Sequence, residues 1–234
     1  MTLTVNNIID ASRSRLDETN AAQWTNTELK RWLNEGARDL ARRTRHLRDT
    51  DTFTTTAGTA EYTIPADVLE IEQVYYAPGD GRQIPLVPRA FEGMNAVWGQ
   101  NQATGGQPAM YTLWGTPPNL KIRLFPVPDT SSKTVTTYVV RLPAAITEND
   151  GSDTTALEWP LAWVDLLKDY VEYCALRKDR DPTWQEAYSL YNQRVDDMIV
   201  NSEYMNVPRE VIADPMVAGG VVPRWIADPS WGGW

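Results

Sequence analysis

The chain of 234 residues is poor in the residue types on which metal binding and nucleophilic catalysis depend. It has one cysteine and one histidine, which excludes an internal disulfide and a zinc site built from these residue types. The sequence also lacks the G-x-S-x-G nucleophile elbow, the phosphate-binding loop and the dinucleotide-binding glycine pattern. We therefore predict a protein without catalytic activity, cofactor or metal ion.

Long apolar runs and an excess of positive charge are missing as well. No apolar run approaches the roughly 20 residues that cross a bilayer, and the N-terminus has no basic segment followed by an apolar one. The net charge is −9 at pH 7, whereas general nucleic-acid binders are usually basic overall. We expect a protein of a reducing compartment, with no membrane association and no general binding of nucleic acid.

Carboxylates are the remaining source of chemistry. Asp165 and Asp169 are four residues apart on one helix face, and Glu70 and Glu72 share one face of a strand. Both patterns are common on solvated surfaces, so a hydrolytic or metal-binding pair is the less favoured interpretation. The run at 148–153 hints at a calcium loop but lacks the full ligand spacing and the terminal glutamate. We interpret it as an acidic turn.

The clearest element that the sequence does contain is a helix, predicted over residues 25–48. Thr25 and Glu28 have the spacing of a capping box, in which each side chain bonds a free backbone amide at the start of the helix. Weaker patterns predict a helix over 5–18 and two more helices after residue 160. The stripe of the central helix consists of apolar and small residues at helical spacing: Leu29, Trp32, Leu33, Gly36, Ala37, Leu40, Thr44 and Leu47.

Between these helices the apolar pattern changes from helical to alternating. Strands are predicted at 52–57, 61–64, 69–76, 83–87, 110–114, 120–125 and 133–142. Their hairpin-length connections favour an antiparallel sheet that is curled into a small sandwich or barrel. The predicted fold class is α+β: a helical bundle of residues 1–50 and 156–204, a β-rich insertion of residues 51–155, and an extended arm of residues 205–234.

Five arginines cluster toward the end of the central helix: Arg38, Arg42, Arg43, Arg45 and Arg48. They could face DNA or an acidic partner. They could equally form a solvated or subunit-contact face, because Glu35 and Asp39 lie three or four residues before some of them and can pair with them. The second interpretation is the stronger one, since the chain is acidic overall.

The C-terminal arm is the other candidate for an interaction. Periodicity ends after Asn206, and proline and glycine become frequent. Large apolar residues at Trp225, Ile226, Trp231 and Trp234 are nevertheless costly to leave in water. We predict that the arm is extended and docks on another molecule through these four residues.

Three segments together resemble the head-to-tail adaptor proteins of tailed bacteriophages, in particular podovirus-like ones: WTNTELKRWLNEGARDLARRTR, TFTTTAGTAEYTIPADVLEIEQVYY and EWPLAWVDLLKDYVEYCALRKDRD. The resemblance implies a structural protein of the virion neck that is made in the host cytoplasm. It implies a homo-oligomeric ring, typically dodecameric, beneath the portal protein. Such a ring extends the channel through which genomic DNA passes without sequence-specific binding, and it presents a platform for the tail tube or nozzle protein. It favours the arginine face as a subunit or portal contact.

Two other classes of function stay open at this point. A ligand- or carbohydrate-binding accessory protein of the tail or baseplate would use aromatic residues on the β-rich insertion, where Trp98 and Trp114 are candidates. A virion-associated hydrolase would act through carboxylates, but no convergent set of catalytic residues supports it.

Overall fold

The structure is a computed structural model that describes residues 4–18, 23–93, 105–159 and 161–205. Helices flank a β-rich region along the chain, so the predicted α+β class is confirmed. The chain divides into two compact units, Met1–Gln193 and Arg194–Trp234, and the contacts described below lie in the first. The helices are α1 (Val5–Arg15), α2 (Asn26–Thr44), α3 (Leu161–Asp179) and α4 (Trp184–Met205).

The predicted start of the central helix is confirmed, and its predicted end is wrong. Thr25 caps α2, and its side chain and that of Glu28 form the reciprocal bonds of a capping box. The helix ends at Thr44, because Arg45 adopts a left-handed conformation with φ of 50°. Such a residue closes many helices. Arg48 is the first residue of a strand, so the predicted helix is four residues too long.

Helix α3 packs against both N-terminal helices. The predicted apolar stripe of α2 is buried in the core. Its residues Leu29, Leu33 and Leu40 are at most 1% exposed. The two helices come close at Gly36, where a Cβ atom would lie 2.8 Å from Cδ1 of Tyr170 on α3. A glycine therefore allows the two helices to pack closely at this point.

The described residues of the β-rich region form two four-stranded sheets and one short pair of strands. Sheet A has the spatial order β1 (Arg48–Thr54), β10 (Thr134–Arg141), β3 (Val68–Ala77) and β4 (Ile84–Pro85). Sheet B has the order β2 (Glu61–Thr63), β8 (Lys121–Phe125), β7 (Met110–Trp114) and β5 (Val87–Pro88). The short pair consists of β6 (Gly105–Gly106) and β9 (Val127–Pro128).

Pairing is antiparallel, as predicted, except for two short parallel pairs, β5 with β7 and β6 with β9. The two sheets bury one common apolar core, which confirms a sandwich-like arrangement. Val74 and Val135 from sheet A and Ile122 and Leu124 from sheet B are each at most 1% exposed. Alternation of apolar and polar residues along each strand supplies this inner face.

Candidate functional site

The five predicted interface arginines differ in whether they bond within the chain. Arg38 and Arg42 are exposed on α2, four residues apart and therefore on one helix face. Neither has an ion-pair partner within the described part of the chain. They are the two cations of the predicted cluster that remain available to another molecule.

The other three arginines bond inside the chain. Arg43 lies 3.6 Å from the carboxylate of Asp39 and donates a hydrogen bond of 2.7 Å to Asn192. Arg45 pairs with Glu70 at 2.7 Å, and Arg48 pairs with Glu72 at 3.2 Å. These contacts connect the end of α2 to α4 and to β3.

The two glutamates of β3 form ion pairs that hold the fold together. Glu70 and Glu72 were one of the two carboxylate pairs in the sequence, and each holds a different arginine. The other pair is similar, because Arg15 of α1 reaches Asp169 at 2.6 Å and Asp165 at 4.0 Å. Both pairs join neighbouring elements of the fold.

The acidic turn at 148–153 binds the side-chain ammonium of Lys30. Lys30 is fully buried, and its ammonium donates hydrogen bonds of 2.7 Å to Oδ1 of Asn149 and 2.7 Å to the carbonyl of Gly151. Asp150 accepts from the backbone amide of Thr27 at 3.0 Å and from its hydroxyl, which lowers the pKa of Asp150. The turn thus covers the N-terminus of α2 with the acceptors that helix ends lack.

The sequence analysis missed Lys30 and its neighbour Asn34. Asn34 exchanges two hydrogen bonds of 2.8 Å with the backbone of Ile146, one as donor and one as acceptor. Lys30 and Asn34 are four residues apart and border the apolar stripe of α2. A lysine and an asparagine at this edge of a core face were the available signal that another segment satisfies them.

The single histidine and the single cysteine are both packed against other side chains. His46 stacks on Trp163 with ring centroids 4.9 Å apart, and its partial burial, with the nearby Arg48 charge, lowers its pKa. Burial raises the pKa of Cys174 to about 12, so the thiol stays protonated at neutral pH. Among the residues that the structure describes, no group of histidine, cysteine, aspartate and glutamate could hold a metal ion.

The aromatic surface predicted on the β-rich insertion is present in part. Trp114 is 51% exposed and stacks on Phe91 with ring centroids 4.1 Å apart, in an open groove of about 940 Å³. Arg89 and Glu92 contribute polar groups to the same groove. Trp98 lies outside the described residues.

The predicted arm-docking residues Trp225, Ile226, Trp231 and Trp234 also lie outside the described residues. In the part of the chain that is described, no helix has the length and apolarity that crossing a membrane requires.

Comparison with known families gives the class of protein. The sequence pattern of a family of phage head-to-tail adaptors, which are structural proteins of the virion neck, matches residues 3–214. The match covers most of the chain and ends before Trp225. This is the SU10 adaptor protein family, and the chain belongs to it. The predicted relationship to phage head-to-tail adaptors is thereby confirmed. No curated protein matches the sequence.

Proposed function

We propose that this protein is the head-to-tail adaptor of a podovirus-like phage and acts as a ring, dodecameric by analogy with similar adaptors, beneath the portal protein. The ring extends the channel for genomic DNA and presents the attachment platform for the tail tube or nozzle protein. Its role is structural and not enzymatic. The observation that carries the proposal is the family match over residues 3–214.

The charges on the chain support this role. A channel through which DNA slides should not hold the phosphates tightly, and a net charge of −9 meets that requirement. The carboxylates that could have served catalysis are engaged with arginines: Glu70 with Arg45 and Asp169 with Arg15. These ion pairs favour a structural role of the carboxylates over a role in hydrolysis.

The test is to mix the purified protein with its portal ring and to measure the mass of the product by native mass spectrometry. We expect a complex that holds several copies of the adaptor per portal ring. The absence of a complex, with retained binding of a glycan, would instead favour the tail accessory protein. The exposed Trp114 supports that second candidate, and Trp114→Ala should then abolish glycan binding.

We further propose that Arg38 and Arg42 form the subunit or portal contact. Reversing Arg42 together with Arg43 would be a poor test, because a glutamate at 43 would face Asp39 and damage the fold. Arg38→Glu with Arg42→Glu avoids this and should weaken assembly on the portal by at least tenfold. Arg82→Glu with Arg89→Glu, at two exposed positions of the β-rich region, makes the same change in net charge and should assemble normally. Normal assembly of the Arg38 and Arg42 variant would remove this surface from the proposal.

A further inference from the structure

Strand β1 forms a free border of sheet A. It pairs with β10 on one side and is the first strand in the spatial order, so no strand among the described residues neighbours its other side. The amide of Thr55 donates to Lys133 at 2.8 Å, and Leu47 accepts from the amide of Arg141 at 2.9 Å. Backbone groups alternate sides along an antiparallel strand. The odd residues of β1 therefore point toward β10, and the even residues point away from the sheet.

An exposed edge strand of this length can pair with a strand of another chain. Four of its seven residues, the even ones, have outward amides and carbonyls that can accept a strand from another chain, which leads to aggregation or to exchange of strands between copies. Sheet A limits the same risk at its opposite border by a different means. Strand β4 has only two residues there, and one of them is Pro85, which has no amide hydrogen to donate.

Three of the four outward amides of β1 are bonded within the chain. The amide of Thr50 donates to Oδ1 of Asp49 at 2.8 Å, and the amide of Thr52 donates to Oδ1 of Asp51 at 2.9 Å. The amide of Arg48 donates to the carbonyl of His46 at 2.9 Å. An incoming strand would have to displace these bonds before it could form a ladder.

The carboxylate of Asp49 is also held from its other oxygen. Nε of Arg141 donates to Oδ2 of Asp49 at 2.7 Å, and Arg141 is itself paired with Glu158 at 3.1 Å. The bond from the Thr50 amide and the Arg141 charge lower the pKa of Asp49, which keeps the acceptor ionised at neutral pH. Two carboxylates on one border also repel a second copy of that border.

We propose that Asp49 and Asp51 protect the free edge of β1 against strand addition by binding its outward amides, so that copies of this chain do not associate through sheet A. The inference does not depend on the adaptor function. It concerns only the edge of sheet A at β1 and its protection from contact with other copies.

The test compares two double variants with the wild type by analytical ultracentrifugation at matched concentrations. Alanine at both positions removes the acceptors, and the weight-average mass should then rise with concentration above that of the wild type. Asparagine at both positions removes the charge but retains a side-chain oxygen that can bond the same amides. The asparagine variant should therefore associate less than the alanine variant does.

Two outcomes would overturn the proposal. A folded alanine variant with the mass of the wild type would show that the aspartates do not guard the edge. Equal association of the alanine and asparagine variants would show that charge alone protects it. Addition of Thr52→Pro to the alanine variant removes one outward amide and should reverse the association. Persistent association would place the contact elsewhere and would also overturn the proposal.

A residue-level measurement covers the case in which the double alanine variant fails to fold. Asp51→Ala alone leaves the bond between Asp49 and Arg141 in place. Amide exchange followed by NMR should show that the Thr52 amide loses protection in this variant, whereas the Thr50 amide keeps it. Unchanged protection at Thr52 would contradict the bond on which the proposal rests.

Discussion

Replacing Gly36 with alanine tests the close packing of α2 on α3. In an exposed helix this change stabilises by up to about 1 kcal/mol, because glycine is a poor helix former. Here the added Cβ would lie 2.8 Å from Cδ1 and 2.9 Å from Cγ of Tyr170, well inside ordinary carbon contact distance. Tyr170 is confined by edge-on contacts with Tyr173 and Tyr191, at 5.7 and 5.3 Å between centroids, so it cannot move aside freely.

The expected sign follows from the two opposing effects. Overpacking in a core typically costs about 1–3 kcal/mol, which exceeds the gain in helix propensity. We therefore expect Gly36→Ala to lower the free energy of unfolding by about 1 kcal/mol, measured by urea denaturation with tryptophan fluorescence. Removal of the ring should reverse the sign. In a Tyr170→Ala background, the same change should be neutral or stabilising.

Tyr170→Ala alone should cost about 3–5 kcal/mol, which a domain of ordinary stability tolerates. The cycle of four proteins then gives the coupling between positions 36 and 170 directly. If Gly36→Ala stabilises the wild type and the Tyr170→Ala background by the same amount, the helices are not in close contact here. That result would refute the packing argument.

Other predictions concern the acidic turn and its charges. Lys30→Met should lower the free energy of unfolding by about 1–3 kcal/mol, since Asn149 and Gly151 lose their buried donor. The exposed Lys178→Met is the control and should cost less than about 1 kcal/mol in the same urea titration; equal losses would contradict a special role for Lys30. The pKa of Asp150 is lower in the folded chain, so its stabilising effect is present above the unfolded value of about 3.9 and is lost as pH falls through the folded pKa. The melting temperature should accordingly fall with acidification below about pH 4, and less steeply for Asp150→Ala; parallel curves would contradict this assignment.

The parts of the fold that sequence predicted well depend on local chemistry. The capping box at Thr25 needs only residues three apart, and the stripe of α2 needs only its own periodicity. Pro85 lies in an edge strand of sheet A for an equally local reason, because proline has no amide hydrogen to donate. Each of these features depends only on residues that are close in sequence.

The errors arose where the outcome depends on contacts that are distant in sequence. Arg45 adopts the left-handed conformation that ends α2, although arginine is not a preferred residue there, and its side chain pairs with Glu70. Spacing of three residues on a helix would by itself pair Glu28 with Arg31. In the structure Glu28 bonds Lys178 and Arg31 meets Glu148, from two segments more than a hundred residues away.

For the candidate interface, the sequence indicated the helix but not which of its arginines bond within the chain. Composition and family resemblance indicated a contact surface on α2, and the exposed Arg38 and Arg42 are consistent with it. Sequence alone did not reveal that Arg43, Arg45 and Arg48 are bonded within the chain, because Asn192, Glu70 and Glu72 are assigned to them only by the fold.

The central claim is that this chain is a head-to-tail adaptor of the virion neck. The most direct measurement is a cryo-electron microscopy reconstruction of the neck of the phage that encodes it. The account predicts that the density between portal and tail contains several copies of this fold, with α2 and the β sandwich recognisable in each. A neck of the same phage built entirely from other proteins, without a copy of this fold, would contradict it.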